Sequence, residues 1–295
     1  MEPAHLLAEA VVAWRFDPLQ VAPLLLAALL YARRARTLAR RGRPVPAGRR
    51  LAFSSGLVVV ALALVSPIDS VGETRLLFVH MTQHILIGDV GALLVVIGLT
   101  GPLLRPLLAL PYLGRLRVLA HPLVAFPVWA VDLYAWHSPL LYEAALRHDS
   151  IHAAEHGLYF VTGAFMWAAL IEPLPGPAWF GSAWKMVYVV AVRSLTATLA
   201  YLFMMGNHAY YSWYAHVPRV AALRSPSAVT DQTIGGEIML IEGMIVTLIV
   251  LGWLTGRFIA DHDLRQALLE AGADEHTASR AARYRRRPVG TLSDS

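Results

Sequence analysis

The sequence contains no cysteine, and its 295 residues include a single lysine, Lys185. Without cysteine the chain forms no disulfide and offers no thiolate ligand to a zinc or copper site. A site for a soft metal ion would therefore use histidine and methionine. Charged residues make up only 15% of the chain, well below the roughly 25% of soluble globular proteins, so an ordinary soluble domain is a poor expectation.

Apolar residues are abundant instead. They make up 57% of the chain, and the mean hydropathy is +0.52. A helix that crosses a bilayer needs about 20 mostly apolar residues. The sequence therefore predicts an all-α membrane protein, a bundle of seven transmembrane helices. The predicted spans lie at about 18–37, 50–67, 76–99, 120–138, 150–171, 183–205 and 233–256.

The arginines predict how the bundle is oriented in the membrane. The net charge of +5 comes from arginines in short blocks between apolar runs, which favours a topology signal over nucleic-acid binding. Eight arginines lie between Arg33 and Arg50, in the link between spans one and two. Positive residues concentrate in cytoplasmic loops, and further blocks follow spans three and seven. We expect the N-terminus outside and the C-terminus inside.

The two ends of the chain differ in character. The first 20 residues carry acidic side chains and no basic leader region, which favours an uncleaved first helix over a cleaved signal peptide. The polar, arginine-rich end predicts a short cytoplasmic helix followed by a disordered tail. The predicted organisation is an outer segment (1–17), a seven-helix domain (18–258) and the cytoplasmic end (259–295).

Two histidine pairs are the main candidates for a functional site. His80 and His84 lie four residues apart in span three, and His152 and His156 have the same spacing in span five. Residues four apart share one face of a helix, and ionisable residues inside a membrane are functional candidates. The predicted topology places both pairs on the outer side with His137, at the end of span four. Together these imidazoles would surround one metal ion or two nearby ions.

Other residues at the same predicted depth are candidates for further ligands or for groups that orient the imidazoles. Imidazole suits zinc, copper, iron and nickel, whereas a thioether favours Cu(I). A carboxylate can hold the second ring nitrogen of a ligating histidine. Taken singly, such residues more often pack or hydrogen-bond between helices. The candidates are Met81, Asp132, Glu155, Met204, Met205, His208, Asp231 and Met239.

The stretch His152-Ala-Ala-Glu-His156 also matches H-x-x-E-H, a zinc signature of one protease class. An intramembrane zinc hydrolase would use the same histidines, with Glu155 as its general base. Such an enzyme needs a third protein ligand and an open metal position, and nothing in the sequence selects the third ligand. A haem is less well suited, because two histidines on one helix face point both rings at one edge.

The sequence resembles the multi-spanning CtaG family, the caa3-type cytochrome c oxidase assembly factors. The resemblance extends over about 66–260. Its motifs are "HMTQHILIG" (80–88), "GLTGPLLRPL", "WHSPLLYEAAL" (136–146), "HAAEH" (152–156) and "DQTIGGEIML" (231–240). The family's last motif usually reads Met-Trp, whereas here Met239 is followed by Leu240.

The resemblance implies a non-enzymatic protein of the bacterial plasma membrane that supplies or inserts copper while a haem–copper oxidase matures. Its partners would be an oxidase subunit that receives copper, an outer-facing copper donor and the lipid bilayer, without nucleic acid. We expect copper, as Cu(I), to be held on the periplasmic side by His80, His84, His152 and His156, with His137 or a methionine completing the ligand shell. An assembly scaffold without bound metal and the zinc hydrolase remain the alternatives.

Overall fold

The computed structural model of the chain describes residues 14–110, 112–216 and 226–284. Within these ranges the chain forms helices and connecting segments, and no β-strand. The predicted all-α class is confirmed for this part of the chain. The tail predicted to be disordered falls largely outside the described residues.

A helix coincides with each of the seven predicted spans, and shorter helices fill several of the links. In chain order the α-helices are α1 (Pro18–Arg40), α2 (Ala47–Val65), α3 (Pro67–Thr74), α4 (Leu77–Ile85), α5 (Ala92–Gly98), α6 (Gly101–Leu108), α7 (Pro122–Trp136), α8 (Pro139–Arg147), α9 (Asp149–Ile171), α10 (Ser182–Met205), α11 (Ser212–His216), α12 (Ala228–Glu270) and α13 (Glu275–Tyr284). A π-helix (Leu86–Gly91) joins α4 to α5, and a 3-10 helix (Leu113–Ala120) precedes α7.

Several of these helices have the length and composition of membrane spans. Among the described residues, four helical runs are both long enough and apolar enough to cross a bilayer: α2, the run Leu77–Gly98, α10 and α12. The helix α7 is apolar but shorter. These apolar helices identify a membrane protein.

The third predicted span is not one regular helix. Its first part, α4, carries the first histidine pair, and the π-helix Leu86–Gly91 begins two residues after His84. A π-helical turn widens the backbone and frequently occurs beside functional sites. Hydropathy alone predicts a continuous helix here, because the apolar pattern runs through the π segment unchanged.

The start of α4 is held by a distant carboxylate. The first N–H groups of a helix have no partner within the helix, and the residue before α4, Leu76, provides no side-chain cap. The Asp231 carboxylate accepts hydrogen bonds from the backbone N–H groups of Leu77 at 2.8 Å and Phe78 at 2.9 Å. Through this contact the beginning of α12 determines where the helix with His80 and His84 begins.

The chain divides into two compact units. The first comprises the described residues within 1–176 and 195–242, and the second those within 177–194 and 243–295. All five histidines of the predicted site belong to the first unit. In the second unit, Arg283 of α13 donates hydrogen bonds to the backbone carbonyls of Ala178 and Phe180, which attaches α13 to the segment preceding α10.

The π-helix and α9 meet backbone to backbone at two glycines. A Cβ atom added to Gly163 would overlap the carbonyl oxygen of Gly88, and one added to Gly88 would lie 3.2 Å from the carbonyl oxygen of Tyr159. Small residues allow membrane helices to approach this closely. The contact brings α9, with the second histidine pair, against the helical run that carries the first pair.

We predict that Gly163→Ala destabilises the protein by about 1–3 kcal/mol, the usual range for overpacking a tight interface. The added methyl group would push the two helices apart. Thermal unfolding of the purified protein in detergent measures the effect. Gly157→Ala is the matched control, because Gly157 lies on the same helix with nothing within 4 Å of its added Cβ. Equal stability of the two variants would contradict the importance of this contact.

Candidate metal centre

Four buried histidines from two helices form one cluster. His80 and His84 of α4 face His152 and His156 of α9, and each is at most 6% exposed. The ring centroids of His80 and His152 are 5.2 Å apart, and those of His84 and His156 are 5.5 Å apart. We call these residues the four-histidine cluster. The structure brings together the two pairs that the sequence placed on different helices.

A fifth histidine lies at the edge of this cluster. His137 caps the C-terminal end of α7, is 7% exposed, and its ring centroid is 6.3 Å from that of His84. The sequence predicts His137 at the outer end of a span that runs to about residue 138. The helix ends about two residues earlier, at Trp136, and His137 is the capping residue that follows it.

The ligand atoms of the cluster are close enough to share a metal ion. Three sets of side chains have ligand atoms that all lie within 4.8 Å of one another. Imidazole nitrogens bind first-row metals at about 2 Å, so only small side-chain movements would bring each set onto one ion. The sets are His80, His84 and His156; His80, His152 and Glu155; and Asp69, His152 and His156.

The ring nitrogens that face inward have no hydrogen-bond partners. Within the described residues, the buried atoms without a partner include Nε2 of His80, His84, His137, His152 and His156, Nδ1 of His84, and both carboxylate oxygens of Glu155. Leaving one such atom buried and unpaired costs about 1–3 kcal/mol, and native proteins contain few of them. Their concentration in one place indicates a site that binds a ligand through these atoms.

Tyr214 determines which nitrogen of His80 carries the proton. The Tyr214 hydroxyl donates to the Gly72 carbonyl at 2.7 Å and lies 3.0 Å from His80 Nδ1. Burial holds the pKa of Tyr214 well above its usual range, so this hydroxyl keeps its single proton. Because that proton is donated to Gly72, His80 Nδ1 must be the donor to Tyr214. The neutral ring then presents the lone pair of Nε2 to the cluster, as a metal ligand requires.

His137 and His156 are oriented in the same way by different acceptors. His137 Nδ1 lies 2.7 Å from the Leu133 carbonyl oxygen, which can only accept. His156 Nδ1 lies 3.0 Å from Gln20 Oε1, while the Gln20 amide nitrogen donates to Asp17. In both rings Nδ1 carries the proton and Nε2 has the lone pair. Such outer hydrogen bonds typically fix the tautomer of metal-binding histidines.

Two buried carboxylates accompany the imidazoles. Glu155 is fully buried, and its Oε1 lies 3.7 Å from His84 Nε2, too far for a hydrogen bond. Asp69 of α3 accepts a hydrogen bond from Gln83 at 2.8 Å. Burial raises the pKa of Asp69, and the Gln83 hydrogen bond opposes this rise. An unpaired buried carboxylate is costly, so a cation held among the histidines would stabilise Glu155.

Asp132 and Asp231 form hydrogen bonds with groups other than the imidazoles. The Asp132 carboxylate accepts from the Thr162 hydroxyl at 2.7 Å, and Asp231 caps α4. The ring Nδ1–H groups donate instead to the Tyr214 hydroxyl, Gln20 Oε1 and the Leu133 carbonyl. The sequence does not single out these partners, because the first two lie 134 and 136 residues from the histidines they hold.

The remaining candidate ligands fall into two groups. Met81 and Met239 are buried, at 1% and 5% exposure, and line a pocket beside His84 and His137. Met205 is 82% exposed, Met204 is half-buried against α12, and His208 is exposed with its Nδ1 2.9 Å from Asn207 Oδ1. The structure therefore brings Met81 and Met239 toward the site and leaves Met205 and His208 at the surface.

Comparison with known proteins places this site in a family context. A family model described as cytochrome c oxidase caa3 assembly factor matches residues 29–261, which include all five histidines. An uncharacterized protein of Mycobacterium bovis and one of Mycobacterium tuberculosis are each 25% identical over 302 residues. The match covers 93% of this chain but 44% of each relative, so the chain spans less than half the length of these curated relatives. No solved structure matches the chain. Since the family model covers most of its length, the chain belongs to the CtaG family of cytochrome c oxidase caa3 assembly factors.

Proposed function

We propose that this membrane protein binds copper at the four-histidine cluster and supplies it while a haem–copper cytochrome c oxidase matures. The observation that carries the proposal is the set of buried Nε2 atoms without a hydrogen-bond partner, on histidines whose ligand atoms lie within 4.8 Å of one another in sets of three. In His80 and His156 the other ring nitrogen is held by an outer acceptor. Membership of an oxidase assembly family supports the proposal that the oxidase receives the copper.

The groups around the cluster favour a bound cation. Neutral imidazoles contribute no charge, and two buried carboxylates, Glu155 and Asp69, belong to the close ligand sets. A bound cation would compensate the negative charge of an ionised carboxylate, which is expensive to leave unpaired in a low-dielectric interior. The donors suit copper, since imidazole binds it well and no thiolate competes.

The proposed topology gives the copper a route. Seven spans with the N-terminus outside place α3, the start of α4, the end of α7 and the start of α9 on the periplasmic side of the plasma membrane. The arginine-rich links support this orientation. Copper from an outer-facing donor would enter at this side and pass to an oxidase subunit in the membrane. The role requires binding and release of a metal ion and no catalysis.

Metal analysis of the purified protein tests the proposal. The wild-type chain, incubated anaerobically with Cu(I) and freed of loosely bound metal, is expected to retain copper. His80→Ala/His84→Ala should lose it, because the variant removes two of the four imidazoles. A His80→Gln/His84→Gln variant keeps most of the side-chain volume if the alanine variant does not fold.

His208→Ala is the control for this experiment, because His208 is exposed and outside the cluster. It should retain copper at the wild-type level. Equal copper in wild type and cluster variants would contradict the proposed site. Stoichiometric zinc with no affinity for copper would favour the hydrolase interpretation instead.

We also predict that Tyr214→Phe weakens Cu(I) binding by about 10–100-fold, the usual effect of losing a hydrogen bond that orients a metal ligand. Without the hydroxyl, His80 loses the acceptor that fixes its tautomer. Competition against a Cu(I) chelator of known affinity measures the change. Tyr210→Phe is the control, since its hydroxyl donates to the Leu202 carbonyl. Wild-type affinity in Tyr214→Phe would show that His80 needs no such partner.

A further inference from the structure

A pocket of about 60 Å³ lies beside the four-histidine cluster. His84 lines this pocket, so it belongs to both the cluster and the pocket, and His137 lines it as well. Two methionines, Met81 and Met239, complete the soft-metal donors around the space. A water molecule needs about 10–15 Å³ of such volume, so the pocket is large enough for a metal ion.

The two methionines reach the pocket from different helices. Met81 of α4 is 1% exposed and Met239 of α12 is 5% exposed. Gly235, one turn before Met239, lies against Met81: a Cβ added there would be 3.2 Å from Met81 Cγ. Because Gly235 has no side chain, α12 packs closely on α4, and both buried methionines line the same pocket.

His137 has a free ligand atom that the four-histidine cluster does not use. Its Nδ1 lies 2.7 Å from the Leu133 carbonyl, which leaves Nε2 with the lone pair, buried and without a hydrogen-bond partner. Among the described residues, none of the three close ligand sets includes His137. His84 has no hydrogen bond at either ring nitrogen, so its ring is not committed to one position.

We propose that this pocket is a second Cu(I) position, in which the thioethers of Met81 and Met239 and the Nε2 of His137 bind the ion. His84 would serve either this position or the four-histidine cluster. The proposal rests on the copper-binding function above and adds a second ion of defined ligand chemistry. Thioether ligands favour Cu(I) over zinc, so this position would bind Cu(I) in preference to zinc. Asp89 and Glu242 line the pocket and provide carboxylates near the bound charge.

Titration of the purified full-length protein with Cu(I), followed by X-ray absorption at the copper edge, tests this site. We expect the wild type to bind a second equivalent of copper and to show sulfur among the copper neighbours. Met81→Leu/Met239→Leu should lose the sulfur signal and the second equivalent, and it should keep one equivalent bound by nitrogen and oxygen. Leucine replaces methionine at nearly equal volume, so the fold should persist.

Two further variants make the result decisive. Met205→Leu is the matched control, because Met205 is 82% exposed and its loss should change neither signal. His137→Gln should lose the second equivalent in the same way as the methionine variant, which provides an independent test if the double variant does not fold.

A wild type without copper–sulfur scattering, or a double variant with two equivalents, would overturn the second site. If the second site is overturned but the wild type still binds one equivalent of copper through nitrogen, the proposed function stands. A wild type that binds no copper at all would overturn both the second site and the proposed function.

Discussion

The close contact between the π-helix and α9 determines the distance between the two histidine pairs. Gly88 and Gly163 meet with no side chain between them, and any larger residue would separate the helices. At this separation the ring centroids of His80 and His152 are 5.2 Å apart, and those of His84 and His156 are 5.5 Å apart. The ligand sets, the position of Glu155 and the pocket beside His84 all depend on it.

The surroundings of the cluster fix the orientation of three imidazole rings in and beside it. Acceptors outside the cluster hold the Nδ1 protons of His80, His137 and His156. The corresponding lone pairs point inward, where no protein donor satisfies them. The Nε2 atoms of the five histidines are buried without the hydrogen bonds that usually compensate for burial. Under the proposed function, a bound metal ion would supply that compensation and its release would restore the cost.

Much of the helical framework follows from the sequence alone. Apolar runs of sufficient length predicted a helix at each of the seven positions, and the i,i+4 spacing predicted that each histidine pair shares a face. The π-helix after His84 has no such signal, because it depends on how α4 packs against its neighbours. The sequence predicts a separate short helix after residue 259, whereas α12 continues to Glu270, because polar residues beyond 256 extend a helix that the apolar pattern does not cover.

The hydrogen bonds that orient the rings lie beyond pattern-based prediction for a similar reason. Asp132 was a reasonable candidate, since it stands five residues before His137, but its carboxylate is bonded to Thr162. Gln20 lies near the start of the first unit and Tyr214 in its second segment, so both reach the cluster only through tertiary packing. Local spacing carries information about one helix at a time, whereas the outer partners of a buried ligand belong to other helices.

The copper content of the oxidase made in the presence of this protein tests the central claim most directly. Haem–copper oxidase would be purified from cells that carry the wild-type chain, the His80→Gln/His84→Gln variant or the His208→Ala control. A copper-supplying role predicts oxidase that contains haem but is deficient in copper in the cluster variant alone. Oxidase with full copper in all three strains would contradict that role and would favour an assembly scaffold without bound metal.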